Sequence, residues 1–179
     1  MIMRDRGDCV ATRGFTRNDK LGGSAFVRVL FNNMKMITNS TQETIAFGKK
    51  FAKTLKGGEV VLLIGDLGSG KTTFVKGVAS ELGVKNTITS PTFVLMKVYK
   101  IKNIKIKKNI KVLVHIDAYR GLDLNDLENI GALEYFGEHD TICLVEWGGA
   151  LEDYCRKKKI IFKKISIKNI NQKTREFIY

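Results

Sequence analysis

The sequence is poor in the residues that interrupt or cross-link a chain, with one proline, three cysteines and two histidines in 179 residues. Cys9, Cys143 and Cys155 form no C-x-x-C pair, which argues against a disulfide framework and against a structural zinc site. No apolar run reaches the ~20 residues that a membrane-spanning helix requires. We therefore expect a cytoplasmic protein without a membrane segment, and the length suits one domain with a full core.

Acidic residues are also scarce, since 18 Asp and Glu stand against 31 Lys and Arg, giving a formal net charge of +13 and a pI near 9.7. Such an excess favours an anionic partner such as RNA. However, much of it is lysine scattered through Ile-Lys-Asn-rich stretches, which the base composition of the coding DNA explains equally well. No basic motif with interleaved aromatics is present, so direct contact with RNA stays open.

The first part of the chain differs in composition from the rest. Residues 1–33 hold five of the eight Arg but only one of the 23 Lys. The segment lacks the apolar region of a signal peptide. We expect residues 1–36 to be a disordered extension or the product of a mis-assigned start upstream of Met34 or Met36, and residues 37–179 to form a single domain.

A complete G-x-x-x-x-G-K-[ST] motif stands in the first half of the chain, followed by a second threonine. Its residues are Gly65, Asp66, Leu67, Gly68, Ser69, Gly70, Lys71, Thr72 and Thr73. Glycines let the backbone N–H groups approach a polyphosphate closely, and Lys71 adds a positive charge toward the β- and γ-phosphates. The Thr72 hydroxyl can bind Mg²⁺, while the helix that starts here directs its positive end at the anion. The motif predicts binding of a nucleotide such as ATP.

The flanks of this loop support the prediction. Residues 60–64 are a continuous apolar run typical of a buried parallel strand, and apolar residues after the loop recur at helical spacing up to Gly83. Before the strand, Ser40-Thr-Gln-Glu43 has the form of a capping box and predicts a first helix. We expect this capping region and the C-terminal hairpin to form the walls of the adenine site.

Two further buried strands are predicted at residues 111–117 and 141–145, and each is closed by an acid, Asp117 and Glu146. Ligands of open α/β sheets lie at the carboxyl ends of the strands, so both carboxylates are expected near the phosphates. Alternation of Ile and Lys between Tyr99 and Lys111 predicts an exposed ribbon, and residues 124–136 read as a helix.

The fold class that follows is α/β and P-loop NTPase-like. We expect a mostly parallel central sheet flanked by helices, with a C-terminal antiparallel hairpin at residues 160–167 and 176–179.

Four sequence blocks together resemble the TsaE (formerly YjeE) family. They are Gly-Asp-Leu-Gly-Ser-Gly-Lys-Thr-Thr-Phe at 65–74, Ser-Pro-Thr-Phe at 90–93, His-Ile-Asp-Ala-Tyr-Arg at 115–120 and Val-Glu-Trp at 145–147. The resemblance implies an Mg²⁺-dependent ATPase that works with TsaB and TsaD in making N6-threonylcarbamoyladenosine at position 37 of tRNA. In that family TsaD carries the transfer, so the resemblance implies that tRNA would be reached indirectly, through the complex, while direct contact stays open.

The resemblance also implies roles for individual residues. Lys71 and Asp117 would be catalytic, with Asp117 positioning or activating the attacking water, and Thr72 and Glu146 would bind Mg²⁺. Residues at the edge of the site or at a partner surface would be Ser90, Thr92, Tyr119, Arg120 and Trp147. Two features depart from the family pattern, namely a longer connection between Tyr99 and His115 and Gly148 in place of a common proline.

Other interpretations compete with this one. A small-molecule kinase on the same fold would require an acceptor site and usually an Arg-bearing lid, yet residues 34–179 contain only three Arg. A basic RNA-binding module that uses nucleotide only as a structural ligand is the non-enzymatic alternative. Either carboxylate could instead be a turn residue or a helix cap, and His115 inside an apolar strand is typical of a core histidine.

Overall fold

A mixed β-sheet of seven strands forms the centre of the molecule within the residues that the computed structural model describes, which are 34–91, 93–101, 110–119 and 121–179. The strands are β1 (Lys35–Thr38), β2 (Val60–Ile64), β3 (Met96–Lys100), β4 (Val112–Asp117), β5 (Thr141–Glu146), β6 (Phe162–Asn169) and β7 (Arg175–Ile178). The helices are α1 (Thr41–Ala52), α2 (Lys71–Glu81), α3 (Leu124–Asn129) and α4 (Glu152–Lys157). In none of these residues is there a helix long and apolar enough to span a bilayer.

The strand order is β1-β7-β6-β2-β5-β4-β3. The four central strands β6, β2, β5 and β4 run parallel, whereas β3 pairs antiparallel with β4 at one edge, and β7 and β1 add antiparallel strands at the other. The predicted parallel centre and the C-terminal hairpin are therefore confirmed, with an antiparallel margin on each side.

Side chains of the central strands alternate between two apolar cores. In β2, Val61 and Leu63 join the core beneath α1 and α2, while Val60 and Leu62 join the core beneath α3 and α4. All four are fully buried. Because both faces of β2 are covered, its sequence is continuously apolar instead of alternating, as expected for a parallel strand.

Local sequence signals begin and end the first two helices. The Ser40 hydroxyl accepts from Glu43 N at 3.1 Å, and the Glu43 carboxylate accepts from Asn39 N at 2.8 Å, so the predicted cap is present with Glu43 reaching one residue further back. Helix α2 is followed by Gly83 at φ 82°, a left-handed conformation that suits glycine after a helix end.

The helix predicted at residues 124–136 is wrong in its length. Helix α3 ends at Asn129, and a separate 3₁₀ turn covers Ala132–Tyr135. Gly131 lies between them at φ 70°, a left-handed conformation that interrupts the helical hydrogen bonding.

Helix α4 and strand β1 were not predicted. Strand β1 crosses the predicted start of the domain at residue 37, since Lys35 and Met36 pair with Ile178 and Phe177. The rest of the predicted extension, residues 1–33, and the centre of the predicted ribbon, residues 102–109, lie outside the described residues.

Candidate functional site

The glycine-rich loop lies between β2 and α2, as its sequence context predicts. Gly65 packs so closely against β6 that a Cβ on it would lie 2.4 Å from the carbonyl oxygen of Ile167. Gly70 has φ 99° and precedes the first turn of α2 without a side-chain cap. A larger residue would displace the loop at Gly65 and strain the backbone at Gly70.

Lys71 is buried in the first turn of α2, with 4% of its surface exposed. Its Nζ donates to the carbonyl oxygens of Gly65 at 2.7 Å and Asp66 at 2.8 Å, and it lies 3.8 Å from the centre of the Trp147 ring. Burial lowers the pKa of Lys71, and the negative charges of Glu146, Asp117 and Asp66 oppose that shift. The buried ammonium of Lys71 therefore links the end of the loop to the carbonyl groups at its beginning.

Thr72 and Glu146 meet at the carboxyl edge of the sheet. The Thr72 hydroxyl lies 2.8 Å and 3.0 Å from the two carboxylate oxygens of Glu146, which is 3% exposed. No group of three or more His, Cys, Asp or Glu side chains able to hold a metal occurs in the described part of the chain. One carboxylate and one hydroxyl fit Mg²⁺, an ion that prefers oxygen and usually takes its other ligands from water and substrate phosphates.

Asp117 lies beside Glu146, because β4 and β5 are parallel and the two residues are paired in register. Its Oδ2 accepts from the Ser90 hydroxyl at 2.6 Å, and its Oδ1 accepts from Tyr119 N at 3.0 Å. Both oxygens of this buried carboxylate are therefore held in place. The predicted meeting of the two strand-end acids is confirmed.

Trp147 follows Glu146 and covers the loop lysine. It adopts φ 63°, an uncommon left-handed conformation for a bulky residue, and its ring centre lies 4.9 Å from that of Tyr119. The backbone turn after β5 therefore directs the indole over Lys71, which connects the glycine-rich loop to the Asp117 segment. Such non-glycine outliers often accompany functional sites.

The remaining predicted site residues fall into three groups. Ser69 is buried, and its hydroxyl lacks a hydrogen-bond partner among the described residues. Leu67 is 73% exposed on the loop surface. Thr92 and Arg120 lie outside the described residues. Of the five residues predicted at the edge of the site, the structure places Ser90, Tyr119 and Trp147 there.

A cavity of about 400 Å³ adjoins the loop. Its walls come from the start of α1, from Gly68, Gly70 and Thr73, and from the turn between β6 and β7. The capping region and the C-terminal hairpin, predicted as walls of one site, do line one cavity. The sequence prediction missed the individual hairpin residues, which are Gln172, Lys173 and Arg175.

Arg175 is held at the rim of this cavity. Its Nη1 donates to the carbonyl oxygens of Asn171 and Gln172, each at 3.1 Å, and its Nε lies 3.9 Å from where a Cβ on Gly70 would stand. The sequence does not indicate that Arg175 lines this cavity, because the hairpin comes close to the loop only through the pairing of strands in the sheet.

His115 is the other residue whose surroundings the sequence did not indicate. Its ring is fully buried, and Nε2 lies 2.8 Å from Oε1 of Glu146. The one available signal is its position two residues before Asp117, which puts both side chains on the same face of β4.

Comparison with known proteins identifies the family of the chain. The family model described as threonylcarbamoyl adenosine biosynthesis protein TsaE matches residues 38–177, a range that includes every described residue of the site. The tRNA threonylcarbamoyladenosine biosynthesis protein TsaE of Bacillus subtilis is 36% identical over 146 residues, covering 82% of this chain and 84% of that protein. The corresponding protein of Treponema pallidum is 40% identical over 116 residues, covering 64% and 78%.

A solved structure is similar as well. The crystal structure of Bacillus subtilis YdiB superimposes with a TM-score of 0.58 at 31% identity, covering 81% of this chain and 82% of that one. Sequence and fold therefore agree, and the chain belongs to the TsaE family.

Proposed function

We propose that residues 34–179, a range that includes the whole of β1, form a P-loop NTPase-type domain that hydrolyses ATP during biosynthesis of N6-threonylcarbamoyladenosine in cytoplasmic tRNA. The observation that carries the proposal is the convergence of Lys71, the Thr72–Glu146 pair and Asp117 at one edge of the sheet, beside an open cavity. Membership of the TsaE family supplies the pathway, since the relatives bear the name of that biosynthesis.

The cavity beside the loop would take the nucleoside. Its volume of about 400 Å³ falls within the range of small-molecule sites, and its walls combine backbone with polar side chains. The phosphates would then follow the loop toward the start of α2, whose first turn has no side-chain cap. Uncapped N–H groups at a helix start and the positive end of the helix dipole favour an anion there.

Lys71 would exchange partners when phosphate binds. In the structure its ammonium is held by two neutral carbonyls and the indole of Trp147. Phosphate oxygens carry negative charge, so they add the attraction of an ion pair to the hydrogen bonds, which the neutral carbonyls of Gly65 and Asp66 cannot do. The buried cation is therefore set in a place where a polyphosphate would be its best partner.

Thr72 and Glu146 would hold the magnesium ion at the phosphates. When bound, the ion neutralises charge on the transferring phosphoryl group. Asp117 would then orient the attacking water, because Ser90 and the Tyr119 amide fix the direction of its carboxylate. Phosphoryl transfer asks a protein mainly for such positioning and charge stabilisation.

Homologues of TsaB and TsaD are the proposed partners, and tRNA would be reached through them. Apolar side chains are exposed on segments that reach the site. Tyr119 is 47% exposed and packs at a tilt against Trp147, and Phe93, three residues after Ser90, is 89% exposed. A partner that covers these side chains would also exclude water from the site and stimulate hydrolysis.

The experiment that tests this function is reconstitution with TsaB and TsaD homologues, tRNA and a threonylcarbamoyl donor. With wild-type protein we expect several modified tRNAs per TsaD and release of free phosphate. With Lys71→Ala we expect turnover to stop after about one cycle, whereas Lys76→Ala, at an exposed position of the same helix, should behave as wild type. Equal yields with wild type and Lys71→Ala would refute the proposal, and a phosphorylated acceptor would indicate a kinase.

A further inference from the structure

The environment of His115 is unusual for a core histidine. Its side chain is completely buried, that of Glu146 is 4% exposed, and Nε2 to Oε1 is 2.8 Å. Glu146 also receives the Thr72 hydroxyl. Two donors from different elements, β4 and α2, therefore converge on one carboxylate at the end of β5.

The direction of this hydrogen bond follows from the chemistry of the pair. A carboxylate that binds a metal is ionised and only accepts hydrogen bonds, so with Glu146 as a ligand the proton of this bond belongs to Nε2 of His115. The other ring nitrogen, Nδ1, is buried and lacks a hydrogen-bond partner among the described residues. A ring that passes protons through the site would need a partner at both nitrogens, and within the described part of the chain His115 has a partner at Nε2 alone.

From this geometry we propose that His115 is a positioning residue that holds the Glu146 carboxylate in the orientation needed for Mg²⁺; the proposal rests on the function proposed above. A carboxylate can rotate about its terminal bonds, and the Thr72 hydroxyl, at 2.8 Å and 3.0 Å, does not choose between its two oxygens. The bond from Nε2 is made to Oε1 and therefore fixes the orientation of the group.

The role of His115 also explains why a polar ring is tolerated inside an apolar strand. Neighbouring side chains on the same face, Leu113 and Leu144, belong to the core beneath α1 and α2. A buried carboxylate in such surroundings is costly unless donors satisfy it. His115 supplies a donor that, unlike Thr72, has no expected bond to the metal itself, so it remains available when the ion is bound.

Paired substitutions test the proposal. His115→Gln places an amide N–H near the position of Nε2, whereas His115→Met has similar length and no donor. Partners of metal ligands typically change metal affinity by about 10- to 100-fold when removed. We expect His115→Met to raise the Mg²⁺ concentration needed for tight ADP binding by that factor, and His115→Gln to change it less than about 5-fold. Calorimetry at a series of Mg²⁺ concentrations measures this without turnover.

The outcomes separate this proposal from the function on which it rests. If wild-type protein binds no ADP with Mg²⁺, the proposed function fails. If wild type binds and His115→Met shows the same Mg²⁺ dependence, or if Met and Gln are equally impaired, the positioning role fails and His115 is a packing residue.

A measurement on the unmutated protein covers the case in which His115→Met does not fold. The chain has two histidines, and His139 is exposed, so ¹⁵N imidazole spectra contain one buried and one exposed ring. We expect the proton of His115 on Nε2 and a shift of this signal when Mg²⁺ is added to the ADP-bound protein, with His139 unchanged. An Nε2 without a proton, or a His115 signal indifferent to Mg²⁺, would overturn the proposal.

Discussion

Gly48 of α1 and Gly77 of α2 face each other where the two helices cross. A Cβ built on Gly48 would lie 3.0 Å from the Cα of Gly77 and 2.5 Å from the carbonyl oxygen of Phe74. A Cβ on Gly77 would lie 2.3 Å from the carbonyl oxygen of Ile45. The backbones therefore touch, and this contact fixes the start of α1, a wall of the cavity, relative to the helix that follows the glycine-rich loop.

Gly77→Ala should destabilise the protein although alanine is the better helix former. Helix propensity alone would stabilise by about 1 kcal/mol, but forcing the helices apart in a packed core costs about 1–3 kcal/mol. We expect a net loss measured by urea unfolding, together with weaker ADP binding because the cavity wall moves. Ser80→Ala, at an exposed position of α2, is the control and should be neutral or slightly stabilising. A more stable Gly77→Ala would show that the crossing is loose.

Much of the fold could be predicted from local patterns. The apolar run at Val60–Ile64 specifies a doubly covered strand, and strand-end acids in parallel neighbours must lie at one edge, so the meeting of Asp117 and Glu146 followed from sequence. The prediction of one helix through Gly131 was wrong. It relied on the helical spacing of the apolar residues, whereas Gly131 adopts a left-handed conformation that ends the helix.

The residues that sequence missed depend on long-range pairing. Arg175 reaches the loop because β7 pairs with β6 and β6 pairs with β2, and no local pattern encodes that neighbourhood. Likewise, the partner of His115 lies 31 residues away on another strand. A Lys-rich, Ile-rich tail indicates strands but not which side chain turns toward the site.

Thr72→Val should separate the hydroxyl from the shape of the side chain. Valine keeps the volume but removes both the proposed metal ligand and the donor to Glu146. We expect affinity for ADP in the presence of Mg²⁺ to fall at least about 10-fold, equivalent to about 1.4 kcal/mol, while Thr72→Ser stays near wild type. Calorimetry with and without Mg²⁺ measures the difference, and identical Mg²⁺ dependence of Val and Ser variants would argue against a role for the hydroxyl.

Lys71→Met should weaken ADP binding without lowering the stability of the fold. Burial lowers the pKa of Lys71 below its usual 10.5. Between the lowered pKa and 10.5 the unfolded chain therefore binds more protons than the folded protein. The free energy of unfolding of the wild type should rise with pH in that range. We expect Lys71→Met to bind ADP far more weakly and to be at least as stable as wild type near pH 7. Its advantage should shrink as the pH approaches 10.5. Denaturant unfolding at several pH values measures this, with exposed Lys76→Met as control.

The opposite trend would also be informative for Lys71. A wild type that is more stable than Lys71→Met at pH 7 and loses this margin as the pH rises would mean that the two carbonyls and the indole stabilise the ammonium beyond its burial cost. Phosphate would then have to displace favourable contacts, and weaker nucleotide affinity would be expected.

Asp117→Asn should impair hydrolysis more than binding. The amide keeps an oxygen for the Tyr119 N–H, and the Ser90 hydroxyl can rotate to accept from the new NH₂, so the segment should stay folded. Loss of the carboxylate should lower the ATPase rate in the partner complex by about 10²- to 10⁴-fold, the usual contribution of a general base. The rate is measured by phosphate release, and the ADP affinity is measured by calorimetry. Asp153→Asn, at an exposed position of α4, is the control. Wild-type hydrolysis by Asp117→Asn would show that Asp117 has no part in the reaction. An equal loss of ADP binding and hydrolysis would show that Asp117 maintains the structure of the site.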